Sequence, residues 1–74
     1  MKIRAIIEKA SDGTYSIYHA PDNLGFLVTA TGKNLDEAKE YFIKNYQEIK
    51  DYKISEGKVI EDIEWIWYYD IASI

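Results

Sequence analysis

The chain has 74 residues, a formal net charge of −4 and no cysteine. That length suits one domain and is too short for two, and no disulfide can reinforce a core that buries only about 60% of the unfolded surface. The acidic balance disfavours a phosphate backbone as partner and suits a basic protein, and a single histidine argues against a zinc centre.

Two Trp, seven Tyr and two Phe are a heavy aromatic load for this length. Such rings fill cores and anchor interfaces, so a homodimer is expected. The acidic residues gather in Asp36–Glu40 and Glu48–Glu64. At the N-terminus, "MKIRAIIEKA" has an apolar stretch of only Ala5–Ile7, too short for a signal peptide. No run approaches the roughly 20 apolar residues of a membrane span. A cytoplasmic location without membrane association is expected.

Lys2–Glu8 alternates, with Ile3, Ala5 and Ile7 on one face and Lys2, Arg4 and Glu8 on the other; Ile6 breaks the pattern. This predicts a strand with one face buried. Asp12-Gly13 is a hairpin signal, and Tyr15–Ala20 is the second strand. Two registers are open. A two-residue turn pairs Ile7 with Tyr18 and turns Tyr18 to the core, whereas a loop one residue longer sends Tyr15 and Ile17 inward. The longer loop is preferred because Ile17 is the better core residue.

Pro21-Asp22-Asn23 ends the second strand and Gly25 closes the turn. "FLVTATG" is a third strand, rich in branched residues. Asn34 reads as a helix N-cap with Glu37 at the third helical position. Leu35, Ala38, Phe42, Tyr46 and Ile49 recur at spacings of three and four and form one apolar stripe. The helix should run from about Leu35 to Lys53 or Glu56, stop near Gly57 and project past the sheet. Ile63–Ile71 is the last strand, with Ile63, Trp65, Trp67, Tyr69 and Ile71 on one face and Glu64, Ile66, Tyr68 and Asp70 on the other.

The order is therefore β-β-β-α-β, an α+β domain. A meander of three antiparallel strands, a helix on one face and a last strand parallel to the first give the sheet order 3-2-1-4. One sheet face stays without a helix, an opening for association.

That topology resembles the core of an RNase H-like fold. A metal nuclease would gather Glu8, Glu37 or Glu40, and Asp70 around Mg²⁺. A metal carboxylate belongs mid-strand, however, where the first strand has Arg4-Ala5-Ile6. His19 could serve as a general base, but it has no nucleophile nearby in sequence and reads as a strand-end residue facing solvent or a partner. The Trp65/Trp67/Tyr69 ladder could stack bases, but Glu61, Asp62, Glu64 and Asp70 flank it where a nucleic-acid surface needs cations. No phosphate loop is present.

Tyr15–Asp22, "YSIYHAPD", then Gly25, Gly32 and Leu35-Asp36-Glu37-Ala38 resemble the N-terminal domain of HicB-family antitoxins. The match runs from about Lys2 to Tyr46, and the single domain 1–74 is identified with that module. The resemblance implies a partial RNase H-like fold, no enzyme activity, no metal and no cofactor. It implies binding to a HicA-type toxin, a small basic ribonuclease that cleaves mRNA, and masking of the toxin's active site. Tyr18, His19, Asp22, Asn23 and Phe26 are the expected partner-binding residues, because loops and strand ends tend to carry function. Trp65 and Trp67 offer an alternative interface through an exposed edge strand.

Two departures stand out. Full-length relatives carry a C-terminal DNA-binding helix-turn-helix or ribbon-helix-helix, and these residues contain no basic recognition helix, so DNA binding is not expected of them. Leu24 and Phe26 replace the usual Pro and Cys around Gly25. An orphan oligomerisation domain, and behind it a metal-dependent nuclease, are the alternatives to the antitoxin reading.

Overall fold

The computed structural model describes residues 1–19 and 26–69. Its elements are β1 (Lys2–Lys9), β2 (Tyr15–His19), β3 (Thr29–Gly32), α1 (Leu35–Ser55) and β4 (Glu64–Tyr69). The strands form one sheet in the order β3-β2-β1-β4. β1 and β2 are antiparallel, as are β2 and β3, while β1 and β4 are parallel. This is the α+β layout expected from the sequence. The strand over "FLVTATG" is shorter than expected and starts at Thr29. Pro21, Asp22, Asn23, Gly25, Asp70 and Ile71 lie outside the described residues.

The first hairpin takes the longer loop. Ile7 pairs with Ile17 and Lys9 with Tyr15. The Gly13 N–H donates to the Ala10 carbonyl at 3.0 Å, and the Ala10 N–H donates to the Thr14 carbonyl at 2.8 Å. Gly13 has φ 90, and among the described residues no non-glycine has a positive φ. A type I turn followed by a left-handed glycine is the common three-residue hairpin loop. A type I′ turn would have required a positive φ at Asp12 as well. Asp12 Oδ1 instead accepts from the Thr14 N–H at 3.0 Å and from the Thr14 hydroxyl at 2.7 Å. These bonds, the backbone one first, hold the Asp12 carboxyl below its ordinary value. The loop's residue count sets the faces: Ile7 and Ile17 are 2% and 1% exposed.

Helix α1 starts where the sequence signals it. Asn34 Oδ1 accepts from the Glu37 N–H at 2.8 Å, and Glu37 Oε1 accepts from the Lys33 N–H at 3.2 Å. The return bond thus reaches one residue ahead of the N-cap itself. At the other end, Gly57 (φ 82) closes a Schellman motif. Its N–H donates to the Ile54 carbonyl at 2.9 Å, and the Lys58 N–H donates to the Lys53 carbonyl at 3.1 Å. The stripe meets the sheet through buried Ala38, Phe42 and Tyr46, with Leu35 and Ile49 at its margins. At a 1.5 Å rise per residue the helix is about 31 Å long. Its last turns run past the sheet, leaving Tyr52 and Ile54 exposed.

The helix packs on β3 and β2. Gly32 permits this approach, because a Cβ there would lie 2.5 Å from the Ala38 backbone nitrogen. On the β4 side large rings fill the wider space. Phe42, fully buried, meets Trp65 edge-on at 4.8 Å between centroids and Trp67 at 5.8 Å. Tyr46 meets Trp65 at 5.2 Å, also edge-on. Polar contacts fasten the entry to β4. The Glu64 N–H donates to the Met1 carbonyl at 2.8 Å, the N-terminal ammonium donates to the Asp62 carbonyl at 3.2 Å, and Lys50 pairs with Asp62. That exposed pair lowers the Asp62 pKa and raises that of Lys50, in both cases chiefly through their hydrogen bond.

Two outcomes follow. Gly32→Ala forces the helix off β3 and lowers unfolding stability by about 1–3 kcal/mol in urea titrations. Asp12, whose folded pKa lies below the ordinary 3.8, contributes stability that is full above that value and lost as pH falls through the depressed folded value. Between about pH 5 and pH 2 the wild type should lose urea-midpoint stability that Asp12→Asn does not lose.

Candidate functional site

The expected partner-binding residues do not share one surface. Tyr18 lies on the sheet face without a helix, where its hydroxyl donates to Glu8 Oε1 at 2.8 Å. His19 lies on the opposite, helix-covered face. It is 5% exposed, and its ring centroid is 5.8 Å from that of Trp65. The expectation that His19 faces solvent or a partner is therefore overturned. The cause is strand alternation: the register that turns Ile17 inward turns His19 inward as well. Phe26 is half-buried against the core rather than displayed. Asp22 and Asn23 lie outside the described residues.

Trp65 and Trp67 also face the helix, so their rings belong to the core. Lys39 lies over Trp67 and Tyr69, its ammonium 5.2 Å and 5.9 Å from their ring centres. The indole N–H of Trp65 and the hydroxyl of Tyr46 are buried and have no hydrogen-bond partner among the described residues.

Of the carboxylates expected for a nuclease, Glu8 and Glu37 lie on opposite sides of the sheet, and Asp70 lies outside the described residues. Glu8 projects from the open face and accepts from Tyr18, while Glu37 caps the helix on the other side of the sheet. Among the described residues no cluster of His, Cys, Asp or Glu has the arrangement to hold a metal ion.

The open face is the most distinctive surface of the described residues. Ile6 stands between Tyr18 on β2 and Tyr68 on β4. Arg4 stands beside Ile66, and its guanidinium carbon is 5.6 Å from the Tyr68 ring centre. Ile66 and Tyr68 are 44% and 51% exposed. The result is a band of Tyr18, Ile6, Tyr68 and Ile66 across three strands. Glu8, Ser16 and Thr31 border it on one side, and Lys2 and Glu64 on the other. The band thus combines a hydrogen-bonded tyrosine, a tyrosine ring carrying a guanidinium and two branched side chains.

No family model matches this chain, and neither a curated protein nor a solved structure matches it. Among the described residues, no helix is long and apolar enough to cross a membrane.

The sequence carried the signal for this band in the irregularity of Ile6 and in the aromatics on both faces of the last strand. Neither feature alone shows that Ile6, Tyr18 and Tyr68 fall in one row. That row requires both the hairpin register and the parallel pairing of β1 with β4.

Tyr46→Phe removes a buried hydroxyl that has no partner among the described residues, so it should leave thermal stability unchanged or raise it by about 1 kcal/mol, whereas loss of stability would mean the hydroxyl is satisfied in solution.

Proposed function

We propose that this chain is a non-catalytic protein-binding module that works as the toxin-masking domain of a HicB-like antitoxin in a type II toxin-antitoxin system. Its partner would be a small basic HicA-type toxin that cleaves mRNA. The observation that carries this reading is the open sheet face, where the tyrosine and isoleucine band has no covering layer among the described residues. Contiguous exposed apolar surface of this kind marks interaction sites.

Three further features support it. The net charge of −4 complements a basic partner. Among the described residues no carboxylates converge on a metal site. The β-β-β-α-β order agrees with the fold that the HicB resemblance implies. Masking is steric and electrostatic. Tyr18 contributes ring area and a fixed hydroxyl, and Asp22 and Asn23 contribute polar groups from the adjoining segment. His19 and Phe26 support that surface from beneath. The protein acts in the cytoplasm as a homodimer, binds no DNA through these residues and needs no cofactor.

The test is to look beside its gene for a small basic open reading frame with one prominent histidine, and to co-express that product with this chain. Growth should be rescued, and the two chains should co-purify in equal amounts. Asp22→Lys should weaken the complex about tenfold or more, by placing a cation against a basic surface. A toxin that neither binds nor is silenced overturns the reading.

A further inference from the structure

The two edges of the sheet are treated differently. β3 is four residues long, and its Thr29 carbonyl accepts from Asn45 Nδ2 on the helix at 2.9 Å. β4 is six residues long, with the sequence EWIWYY. It carries no proline and no lysine, and its pairing with β1 runs without a bulge from Glu64 to Tyr69. Natural edge strands are usually blunted by such devices. Here the free edge is aromatic and unpaired among the described residues.

We propose that β4 is the seam of a homodimer, in which two copies pair antiparallel along this edge about a twofold axis at Ile66. The inference rests on the homodimer part of the reading above and is independent of the toxin.

The backbone phase is suited to it. The Glu64 N–H points to β1, where it meets the Met1 carbonyl. Strand alternation then turns the main-chain groups of Ile66 and Tyr68 to β1 as well. The N–H and C=O groups of Trp65, Trp67 and Tyr69 face the free edge. Opposed residues in a sheet share a face, so a twofold between two copies of β4 passes through a residue. With the axis at Ile66, Trp65 of each copy exchanges both hydrogen bonds with Trp67 of the other, about four bonds at the centre of the seam. Ile66 then faces its own copy at a non-hydrogen-bonded position, where Cα atoms lie about 4.5 Å apart and side chains pack closely.

Charge selects this register and this occupant. Glu64 of one copy comes opposite Tyr68 of the other, whose ring already carries the Arg4 guanidinium. A carboxylate thus meets a cation-bearing ring, and symmetry makes the contact twice. An axis at Trp67 would set two indoles against each other and would take Glu64 away from Arg4. With the axis at Ile66, the open-face bands of the two copies join through Ile66.

Sedimentation of the full chain and cysteine cross-linking test the seam. The natural chain has no cysteine, so an introduced thiol reports alone. At about 100 µM the wild type should sediment as a dimer, and Ile66→Lys should weaken that dimer at least about tenfold while the circular dichroism spectrum is kept. I66C alone should form a disulfide-linked dimer under mild oxidation, since Cα atoms at that separation satisfy disulfide geometry. A monomeric wild type at that concentration overturns the proposal. So does cross-linking only in a mixture of I66C and Y68C chains, the pattern of an axis at Trp67. Toxin silencing is read in a separate assay, so the seam and the antitoxin reading can fail independently.

Discussion

The contact that the rest of the molecule depends on is the insertion of Phe42 between Trp65 and Trp67. The helix lies over β3 and β2, and β4 sits at the far edge of the sheet. Short side chains cannot bridge that distance. Two indoles rising from β4 and a phenyl ring descending from the helix do so edge-on, at 4.8 and 5.8 Å. Each such pair adds about 0.5–1.5 kcal/mol beyond its buried area. For a chain of this size the total stability is about 4–11 kcal/mol, so this cluster is a large share of it. Tyr46 and His19 extend the cluster on either side of Trp65.

The offset of the helix has a cause at the opposite edge. Gly32 and Ala38 let helix and strand backbones approach until no Cβ fits at Gly32. Ala30 on β3 and Ala5 on β1 keep the layer thin elsewhere. Ala5 lies between His19 and Trp67 in the sheet, so its small side chain leaves room for both rings. Small residues under the helix and large rings beyond it are two parts of one wedge-shaped core. Among the described residues one helix covers one sheet face in this way. The Tyr18, Ile6, Tyr68 and Ile66 band lies on the other face.

Much of the fold was legible in the chain. The helix boundaries followed from Asn34, Glu37 and Gly57, because capping is chemistry between near neighbours. The strand order followed from the element sequence, because a parallel return strand after a helix has few places to go. The candidate site was legible only in part. Tyr18, expected at a partner surface, lies on the open face, but His19, one residue on, is buried beside Trp65. A loop of three residues rather than two decided this, and the same loop placed Ile17 in the core. Preferring Ile17 inside already implied His19 inside, since both sit on one side of β2.

The sequence alone therefore determined what depends on local chemistry: the elements, their caps and the apolar stripe of the helix. Tertiary structure decided what depends on two strands at once. Which tyrosine meets which isoleucine across the sheet, and which edge is left free, are set by pairing register and layer offset. Neither is encoded in any single segment. A one-residue change in one loop exchanges every side chain between the two faces of a strand.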